Sequence, residues 1–333
     1  MKEAYIDKDL NVEIRDVPVP TAGPGELLIR TVVSGTNPKD WKMPKLMGGD
    51  PANHGDDIAG YIEAVGEGVT GFCPGDRVAA FHQMFTPHGS YAEYSVAAAK
   101  SAFHLPDATT FEEGATIPLA GMTAALGVYQ RLQLPLPWNP VTVPTPLVVN
   151  GAATAVGAFA IKFASLLNVH PSSPSQAMGD IIIDYRQGAE YVNEELRKVA
   201  KKHVISYAYD TVSDEASVEM LSKVVSAENG KIMSVIPKED EVTQGITVLG
   251  SNFGHIHESA KEGFKVGNAE FGVAIYNLVS LGLADGWFSG HPYEVAKRGL
   301  AGLEGALKDM EAGKVSAKKY VLRLAETPLV LKD

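Results

Sequence analysis

Short runs of alternating apolar and polar residues fill the first hundred positions of the chain. The runs Ala4–Ile6, Val12–Arg15, Glu26–Val33, Asp57–Val65 and Arg77–Phe81 are β-branched or alternating, and Gly, Pro and Asp turns separate them. Runs of this kind are typical of strands with one buried face. The sequence therefore predicts an all-β unit at the start of the chain.

Helical spacing of the apolar residues begins near position 110. Glu112–Ala115 opens one predicted helix, and the Ala- and Leu-rich segment Gly121–Gln130 forms another. Five prolines within Pro135–Pro146 exclude a helix interior, so a connecting loop is predicted before the buried strand Leu147–Asn150. A second domain is therefore predicted to begin in this region.

Strands and helices alternate after this strand, which is typical of a parallel, doubly wound sheet. The chain is then predicted to end in a helix and an amphipathic strand. The predicted elements are helix Thr154–Leu167, strand Ile181–Asp184, helix Gly188–Lys201, strand Val204–Asp210, helix Asp214–Val225, strand Lys231–Ile236, helix Tyr293–Met310 and strand Lys319–Leu324.

The composition indicates a soluble enzyme that acts on small molecules. A formal charge of −11 argues against nucleic acid or an anionic membrane as the main partner, because phosphate binding needs a surplus of Lys and Arg. Gly, Pro or charge interrupts every apolar run, so no membrane span is expected. The first residues do not resemble a signal or transit peptide. We therefore expect a cytoplasmic protein with no membrane or nucleic-acid partner.

A run of small residues joins the predicted strand Leu147–Asn150 to the helix that follows. Backbone approaches a pyrophosphate closely only where side chains are minimal, and the helix N-terminus offers N–H groups and a partial positive charge. An ordinary tight turn is the alternative, and the surrounding β–α alternation favours the cofactor site. The residues predicted to form this phosphate cradle are Gly151, Ala152, Ala153, Thr154, Val156 and Gly157.

Four further segments carry a family resemblance. They are Asn37-Pro-Lys-Asp-Trp-Lys42, His54-Gly-Asp-Asp-Ile-Ala-Gly60, Val65-Gly-Glu-Gly-Val69 and Gly75-Asp-Arg-Val78. Their order and spacing resemble the catalytic domain of medium-chain dehydrogenases/reductases, a chaperonin-10-like β-barrel. With the ending Gly313-Lys-Val-Ser-Ala-Lys-Lys-Tyr320, the chain is similar to quinone oxidoreductases and to the fungal trans-acting enoyl reductases that partner polyketide synthases.

The resemblance covers nearly the whole chain and implies its fold and activity. It implies an α/β protein with a chaperonin-10-like catalytic domain at residues 1–120 and 288–333 and a Rossmann-type cofactor domain at 121–287. The implied reaction is NADPH-dependent reduction of an enone, quinone or acyl thioester, as in fungal-type secondary metabolism. A polyketide synthase is a candidate partner, and relatives occur as monomers and homodimers.

A catalytic zinc ion is not expected. Zinc-dependent relatives supply Cys, His and a further Cys or acid, with an open fourth position. Here Ser34–Asn37 occupies the stretch where the first cysteine would fall, and Cys73 is the one cysteine in the chain. His54 and Asp56 alone would make a poor site. We therefore predict a zinc-independent enzyme and interpret His54 as a hydrogen-bonding core residue.

Three residues are the catalytic candidates that the resemblance suggests. Without a metal, hydrogen-bond donors or a cation must polarise the acceptor carbonyl, and a proton must be supplied to the product. The lysine matching Lys42 lies in the active-site cleft of relatives, whereas Asn37 is expected to hold its loop or to touch the nicotinamide amide. Thr123 matches a hydroxyl near the nicotinamide. For each residue a capping, surface or helix-packing role is the alternative.

The remaining cofactor contacts are also predicted from the resemblance. Tyr185 and Arg186 resemble the element that packs by the 2′-phosphate of NADPH, which favours NADPH weakly and leaves NADH open. Gly250, Ser251 and Phe253 align with the segment beside the nicotinamide. His255 and His257 are interpreted as solvated or substrate-lining, rather than as metal ligands.

One segment departs from the family. Relatives have a strand, a loop and a helix where this chain has only Val169–Asp180, which is too short for a strand and a crossover helix. We expect Ile181–Asp184 either to pair with Leu147–Asn150 or to keep the family position beside a gap. The shortening also leaves a second function open, a degenerate, non-catalytic family member that binds a partner protein.

Overall fold

The computed structural model describes residues 1–140, 145–166, 170–171, 180–251, 253–258 and 268–328. The chain divides into a first unit, Met1–Leu119 with Gly254–Asp333, and a second unit, Ala120–Phe253. Residues 254–287, which the sequence analysis assigns to the cofactor domain, group with the first unit. The first unit is thus discontinuous in sequence, and the second is inserted into it.

The strands predicted in the first hundred residues all form in the first unit. The ten-residue strand β3 is the centre of its sheet, because it pairs antiparallel with β4, β6 and β15. The elements up to the second unit are β1 Lys2–Ile6, β2 Val12–Asp16, β3 Glu26–Gly35, α1 Pro38–Met47, β4 Asp57–Val65, β5 Arg77–Phe81, β6 Tyr94–Ala98, β7 Ala102–His104, α2 Phe111–Gly114 and α3 Pro118–Ala125.

The second unit contains the predicted parallel sheet, in the strand order β12–β13–β11–β10–β8–β9. Every pairing in it is parallel except that of β12 with β13. Its elements are β8 Pro146–Asn150, α4 Ala155–Ser165, β9 His170–Pro171, α5 Ala189–Ala200, β10 Tyr207–Asp210, α6 Glu215–Ser222, β11 Gly230–Ser234, β12 Glu241–Thr243 and β13 Ile246–Leu249.

The sheet edge beside β8 shows the effect of the shortened segment. The two-residue strand β9 pairs only with Pro146 and Leu147 at the start of β8. The strand predicted at Ile181–Asp184 is wrong in both of its expected positions, because this segment is irregular and the side chains of Ile181 and Ile182 are exposed. An apolar run becomes a strand only where a neighbour pairs with it. Residues 172–179 of the shortened segment and Leu167 lie outside the described residues.

The chain returns to the first unit through four further elements. The helix predicted at Tyr293–Met310 is wrong in its first half, because this part forms a strand parallel to the last strand of the sheet. Arg298 then has φ 73°, a left-handed conformation that a helix interior does not allow. The elements are α7 Asn268–Asp285, β14 Tyr293–Ala296, α8 Leu303–Glu311 and β15 Lys319–Arg323.

Each unit has its own apolar core. In the first unit, Ile6, Leu10 and Tyr91 pack with Leu300 and Leu303 of the returning chain, so the two sequence segments share one core. In the second unit, side chains of β10, α6, β11 and β13 pack together. Within the described residues, no helix is long and apolar enough to cross a membrane.

Candidate active site

Asn37 begins helix α1 and is buried at the end of β3. Its backbone N–H donates to the Asp40 carboxylate at 2.7 Å, and Pro38 occupies the first helical position, where a missing N–H has no cost. This pairing of the residue before the helix with an acid three positions later is a typical helix start. The Asn-Pro-Lys-Asp sequence therefore builds a rigid turn at the end of β3.

The Asn37 side chain is held by a buried ion pair between Asp57 and Lys319. The Asn37 Nδ2 donates to Asp57 Oδ2 at 2.9 Å, and its Oδ1 accepts from Lys319 Nζ at 3.0 Å. Asp57 accepts a further bond at 2.7 Å from the backbone N–H of Leu119. Both ends of the Asn37 amide are thus engaged within the first unit, which favours the interpretation that Asn37 holds its loop.

A second buried cluster surrounds Lys39. Its Nζ lies 2.8 Å from Asp40 Oδ1, 2.6 Å from Asp56 Oδ2 and 2.6 Å from the backbone carbonyl of His54. The Tyr91 hydroxyl donates to the other Asp40 oxygen at 2.5 Å. Asp40 thus accepts hydrogen bonds from three donors with good geometry. The Asp56 oxygen nearest Lys39 lies close to the ammonium group but makes no hydrogen bond to a described residue. We call Lys39, Asp40, Asp56 and Tyr91 the Lys39 cluster.

The two carboxyl groups of the Lys39 cluster therefore differ. Burial raises the pKa of Asp56 to about 7, and the positive charge of Lys39 only partly opposes this effect. Burial lowers the pKa of Lys39, but the charges of Asp40 and Asp56 more than offset it, so this pKa is raised overall. Burial and the neighbouring Asp40 raise the pKa of Tyr91. Lys39 is therefore charged and serves mainly Asp40, while Asp56 exchanges a proton near neutral pH.

Lys42, the predicted proton donor, has a different environment on the same helix. Its side chain is exposed, and its Nζ lies 5.4 Å from the centroid of the Trp41 ring. It is accessible to a substrate, as the prediction requires, and its ammonium group is not tied into the Lys39 cluster.

Thr123 lies in α3 and is buried in the second unit. Its backbone carbonyl accepts from the Tyr209 hydroxyl at 2.8 Å. The helix continues as a π-helical turn, Leu126–Arg131, in which Gly127 leaves room for the Tyr209 ring, since a Cβ there would meet the ring at 2.3 Å. This packing fixes the position of Thr123, and π-helical turns are frequent at functional sites.

The turn that is predicted to cradle a phosphate lies in the second unit between β8 and α4. Gly151 has φ +76°, and a Cβ there would meet Thr211 Oγ1 at 2.2 Å. A Cβ on Gly157 would meet the Gly151 carbonyl oxygen at 2.3 Å, so the helix start packs directly on the turn. Thr154 caps α4 by accepting from the Gly157 N–H at 3.0 Å.

The exposure of the cradle suits a phosphate ligand. Ala153 and Thr154 are exposed, and Gly151, Ala152 and Val156 are half-buried, so the first turn of the helix opens to solvent. Glycine is required at both close contacts, and the N–H groups of a first turn have no partner within the helix. The residues present therefore fit the pyrophosphate of a dinucleotide.

Tyr185 and Arg186 lie in an exposed turn before α5. The Arg186 guanidinium makes two 2.8 Å bonds to the Asp184 carboxylate, which also accepts from the Arg186 N–H at 3.1 Å. These bonds lower the pKa of Asp184 and raise that of Arg186. Exposed ion pairs contribute little to stability, so a phosphate competes readily for this guanidinium.

The predicted nicotinamide segment follows β13. The Gly250 carbonyl accepts from Arg131 Nε at 2.9 Å, and its N–H donates to Asp240 at 3.2 Å. Ser251 is buried, and Phe253 begins a 3₁₀ turn that ends at His257. Both backbone groups of Gly250 are thus engaged within the second unit, and the predicted contact of this segment with the nicotinamide stays a prediction.

Three charged residues of these clusters were not singled out by the sequence. Asp57 and Lys319 are buried and Lys39 is half-buried, and their partners lie up to 282 positions away. The doubled acid Asp56-Asp57, immediately before the apolar strand β4, is the local signal that could have indicated them. His54 is half-buried, contacts Lys39 through its carbonyl, and is not the core histidine that we predicted. Within the described residues, no three His, Cys, Asp or Glu side chains are grouped to hold a metal ion.

Comparison with known proteins adds to this geometry. Residues 23–107 match the alcohol dehydrogenase GroES-like domain. The chain is 40% identical to the trans-enoyl reductase fsr4 of Gibberella fujikuroi, over 89% of this chain and 90% of that protein. It is 31% identical to the trans-enoyl reductase resD of Aspergillus sclerotiorum, over 93% and 96%.

A solved structure supports the same fold. The quinone oxidoreductase of Pseudomonas syringae pv. Tomato DC3000 has a TM-score of 0.73 and 21% identity, covering 96% of this chain and 99% of that one. The comparisons confirm the predicted fold class, a chaperonin-10-like catalytic domain with a Rossmann-type parallel sheet.

Proposed function

The chain belongs to the trans-enoyl reductases of the medium-chain dehydrogenase/reductase superfamily, and from this premise we propose that it reduces the double bond of an α,β-unsaturated acyl thioester with NADPH. It is an oxidoreductase of the enoyl or quinone reductase type that uses NAD(P)H and acts on small molecules. Enones and quinones are the alternative acceptors.

The phosphate cradle carries this proposal. Gly151 and Gly157 bring the start of α4 against the turn after β8 without any side chain between them. Bound NADPH supplies the hydride that the acceptor receives. The cradle persists although the adjacent sheet edge is shortened, which supports an enzyme that retains its cofactor.

The preference for NADPH rests on Arg186. Its guanidinium can exchange the Asp184 carboxylate for the 2′-phosphate, a dianion that binds arginine by the same paired hydrogen bonds. Tyr185 is exposed beside it and offers a ring that packs on the adenosine. NADH lacks this phosphate and gains nothing from Arg186.

We assign the chemistry at the acceptor to three residues. The exposed ammonium of Lys42 supplies the proton and stabilises the enolate that forms when hydride reaches the β-carbon. Asn37 holds the turn that carries Lys42 through its bonds to Asp57 and Lys319. The hydroxyl of Thr123 orients the reacting groups, and Tyr209 fixes its backbone.

The family supports a proposal for the biological setting. An acyl thioester carried by a polyketide synthase is the substrate we favour, with that synthase as the partner protein, and secondary metabolism in the cytoplasm as the context. The protein acts as a monomer or a homodimer in this proposal.

Fluorescence titration of the purified protein with NADPH and NADH tests the cofactor site. We expect micromolar NADPH binding, and roughly tenfold weaker binding for Gly151→Val, because its Cβ would meet Thr211 Oγ1 at 2.2 Å and displace the turn. Gly68→Val is the matched control, because Gly68 has φ +77° in an open turn of the first unit. Binding of neither coenzyme to the wild type would overturn the proposal.

Turnover tests the reaction itself. Loss of NADPH absorbance with an enoyl thioester, an enone and a quinone should be fastest for the thioester. Binding of NADPH without oxidation by any of the three acceptors would contradict the assignment as a reductase. A faster reaction with the quinone would identify a quinone, and not an acyl thioester, as the preferred substrate.

A further inference from the structure

The imidazole of His257 is a buried polar group that the catalytic scheme does not use. It ends the 3₁₀ turn that begins at Phe253, and it stands edge-on to the Phe81 ring with centroids 5.0 Å apart. In the part of the chain that the structure describes, neither of its ring nitrogens has a hydrogen-bond partner, and both are shielded from solvent. Buried polar groups in native proteins almost always have a partner, which is protein, ordered water or a ligand, so this ring is a candidate for ligand binding.

The neighbouring His82 shows what a structural histidine looks like in the same place. Its Nδ1 lies 2.6 Å from the Val96 carbonyl oxygen, and its Nε2 lies 3.1 Å from both the carbonyl and the hydroxyl oxygen of Thr86. All its hydrogen-bonding capacity is used inside the protein. His257, which packs on Phe81, differs because neither of its ring nitrogens has a partner among the described residues.

The charge state of His257 limits the ligand it can take. Burial, together with the nearby His82, lowers the pKa of His257 to about 4, so the ring is neutral at neutral pH. A neutral imidazole offers one N–H donor and one acceptor nitrogen. It therefore suits an uncharged polar group rather than a phosphate or a carboxylate.

His257 also lies near the charged residues of the first unit. Burial, and then the positive charge of Lys39, lower the pKa of His82, and His82 in turn acts on His257. Lys39 and His82 have hydrogen-bond partners inside the protein, whereas the ring nitrogens of His257 have none among the described residues. The Phe81 ring packs against His257 and provides an apolar surface beside it.

We propose that His257 binds the substrate, donating a hydrogen bond to the carbonyl oxygen of the unsaturated acyl group while the chain beyond it packs on Phe81. A carbonyl oxygen is uncharged, accepts a hydrogen bond and occurs in enones, quinones and acyl thioesters alike. The inference rests on the proposed function, since it names the group that receives the reactive carbonyl. It therefore adds a residue of the segment after β13 to the substrate-binding residues already proposed on α1.

His257→Phe tests this assignment, because it keeps the ring and removes both nitrogens. A hydrogen bond to a neutral group corresponds to roughly a tenfold effect, so we expect kcat/KM for the enoyl thioester to fall about tenfold. The Kd for NADPH should stay unchanged. Replacing an unsatisfied buried ring by an apolar one of the same shape should leave Tm the same or higher. His257→Gln restores a donor and should recover part of the loss.

His104→Phe is the matched control. The His104 ring also packs on a phenylalanine, Phe72, at 4.7 Å, but it is exposed and its Nε2 lies 2.9 Å from the Gly71 carbonyl oxygen. Its kcat/KM should equal that of the wild type. Wild-type kcat/KM in His257→Phe would overturn the inference and leave the proposed function standing. A lower Tm with unchanged turnover would assign His257 a structural role. Failure of the wild type to reduce any acceptor would remove both.

Discussion

Two lysines on helix α1 have opposite environments. Lys39 is enclosed by carboxyl groups, whereas Lys42, three positions on, lies in solvent over Trp41. The sequence singles out Lys42, because the resemblance to relatives identifies residues that take part in the reaction. The contacts of Lys39 lead us to expect that the stability of this region depends on it more than on Lys42.

Lys39→Met should be strongly destabilising, because it leaves the carboxyl groups of Asp40 and Asp56 buried without their cation. Removing one partner of a buried ion pair costs about 3–5 kcal/mol. Lys42→Met, on the exposed face of the same helix, should change the free energy of unfolding by less than about 0.5 kcal/mol. Urea denaturation measures both, and equal stability of the two variants would contradict the arrangement of the Lys39 cluster.

Asp56 makes stability depend on pH. Unfolded, its pKa is near 4, whereas burial raises the folded value to about 7. The folded state therefore holds more protons between these values, so this contribution is complete below about pH 4 and is lost as the pH rises through about 7. The Asp56→Asn variant has no titratable group at this position.

The free energy of unfolding of Asp56→Asn, relative to the wild type, should therefore rise by about 2 kcal/mol between pH 5 and pH 8. Urea denaturation at both pH values measures it. Asp107→Asn, at a fully exposed position, is the control and should give the same difference at both. A flat difference for Asp56→Asn as well would show that Asp56 stays ionised.

Residue roles were predictable from the sequence only where local pattern determines them. The turn that carries Gly151 and Gly157 was predictable because the strand, the small residues and the helix are consecutive, and its role in binding phosphate stays a prediction. The bonds of Asn37 were not, because Asp57 lies 20 positions away and Lys319 lies 282 positions away. No periodicity connects such positions, so the ion pair that holds Asn37 appears only when the chain is folded.

For the secondary-structure elements, pairing with a neighbouring strand determines whether an ambiguous segment becomes a strand. Runs with turn residues at both ends gave correct strands in the first unit. Ile181–Asp184 has equally suitable residues but no partner strand, whereas Tyr293–Ala296 has weak strand character and pairs with β15. Both errors arise because a strand is stabilised by its neighbours more than by its own composition.

The shortened edge of the second sheet predicts uneven hydrogen exchange. Strand β10 pairs with β8 on one side and β11 on the other, so its amides are protected. Beyond Leu147, β8 has a described partner only in β10. Amides of Val148–Asn150 should therefore exchange faster than those of Tyr207–Asp210, as hydrogen–deuterium exchange with mass spectrometry can measure. Slower exchange in β8 would indicate a covered edge.

NADPH should slow exchange in residues 151–157.

For the whole molecule, coenzyme binding should appear as stability. A ligand at 100 times its Kd adds about 2.7 kcal/mol to the free energy of unfolding, so NADPH should raise Tm more than the same concentration of NADH. Arg186→Gln should abolish this difference, because it removes the group that contacts the 2′-phosphate. Arg197→Gln, an exposed arginine on α5, is the control. Equal shifts for both coenzymes in the wild type would remove the case for NADPH.

The discontinuous first unit has a consequence for biosynthesis. Asp57 is translated 262 positions before its cation, Lys319. Leu300 and Leu303, which pack with Ile6 and Leu10, are likewise translated long after these partners. During most of synthesis the first unit is a nascent segment with an unneutralised acid and an open apolar surface. The inserted second unit has all its strands available first. Folding is therefore expected to begin in the inserted second unit, and the first unit is expected to close only after Lys319 has been translated.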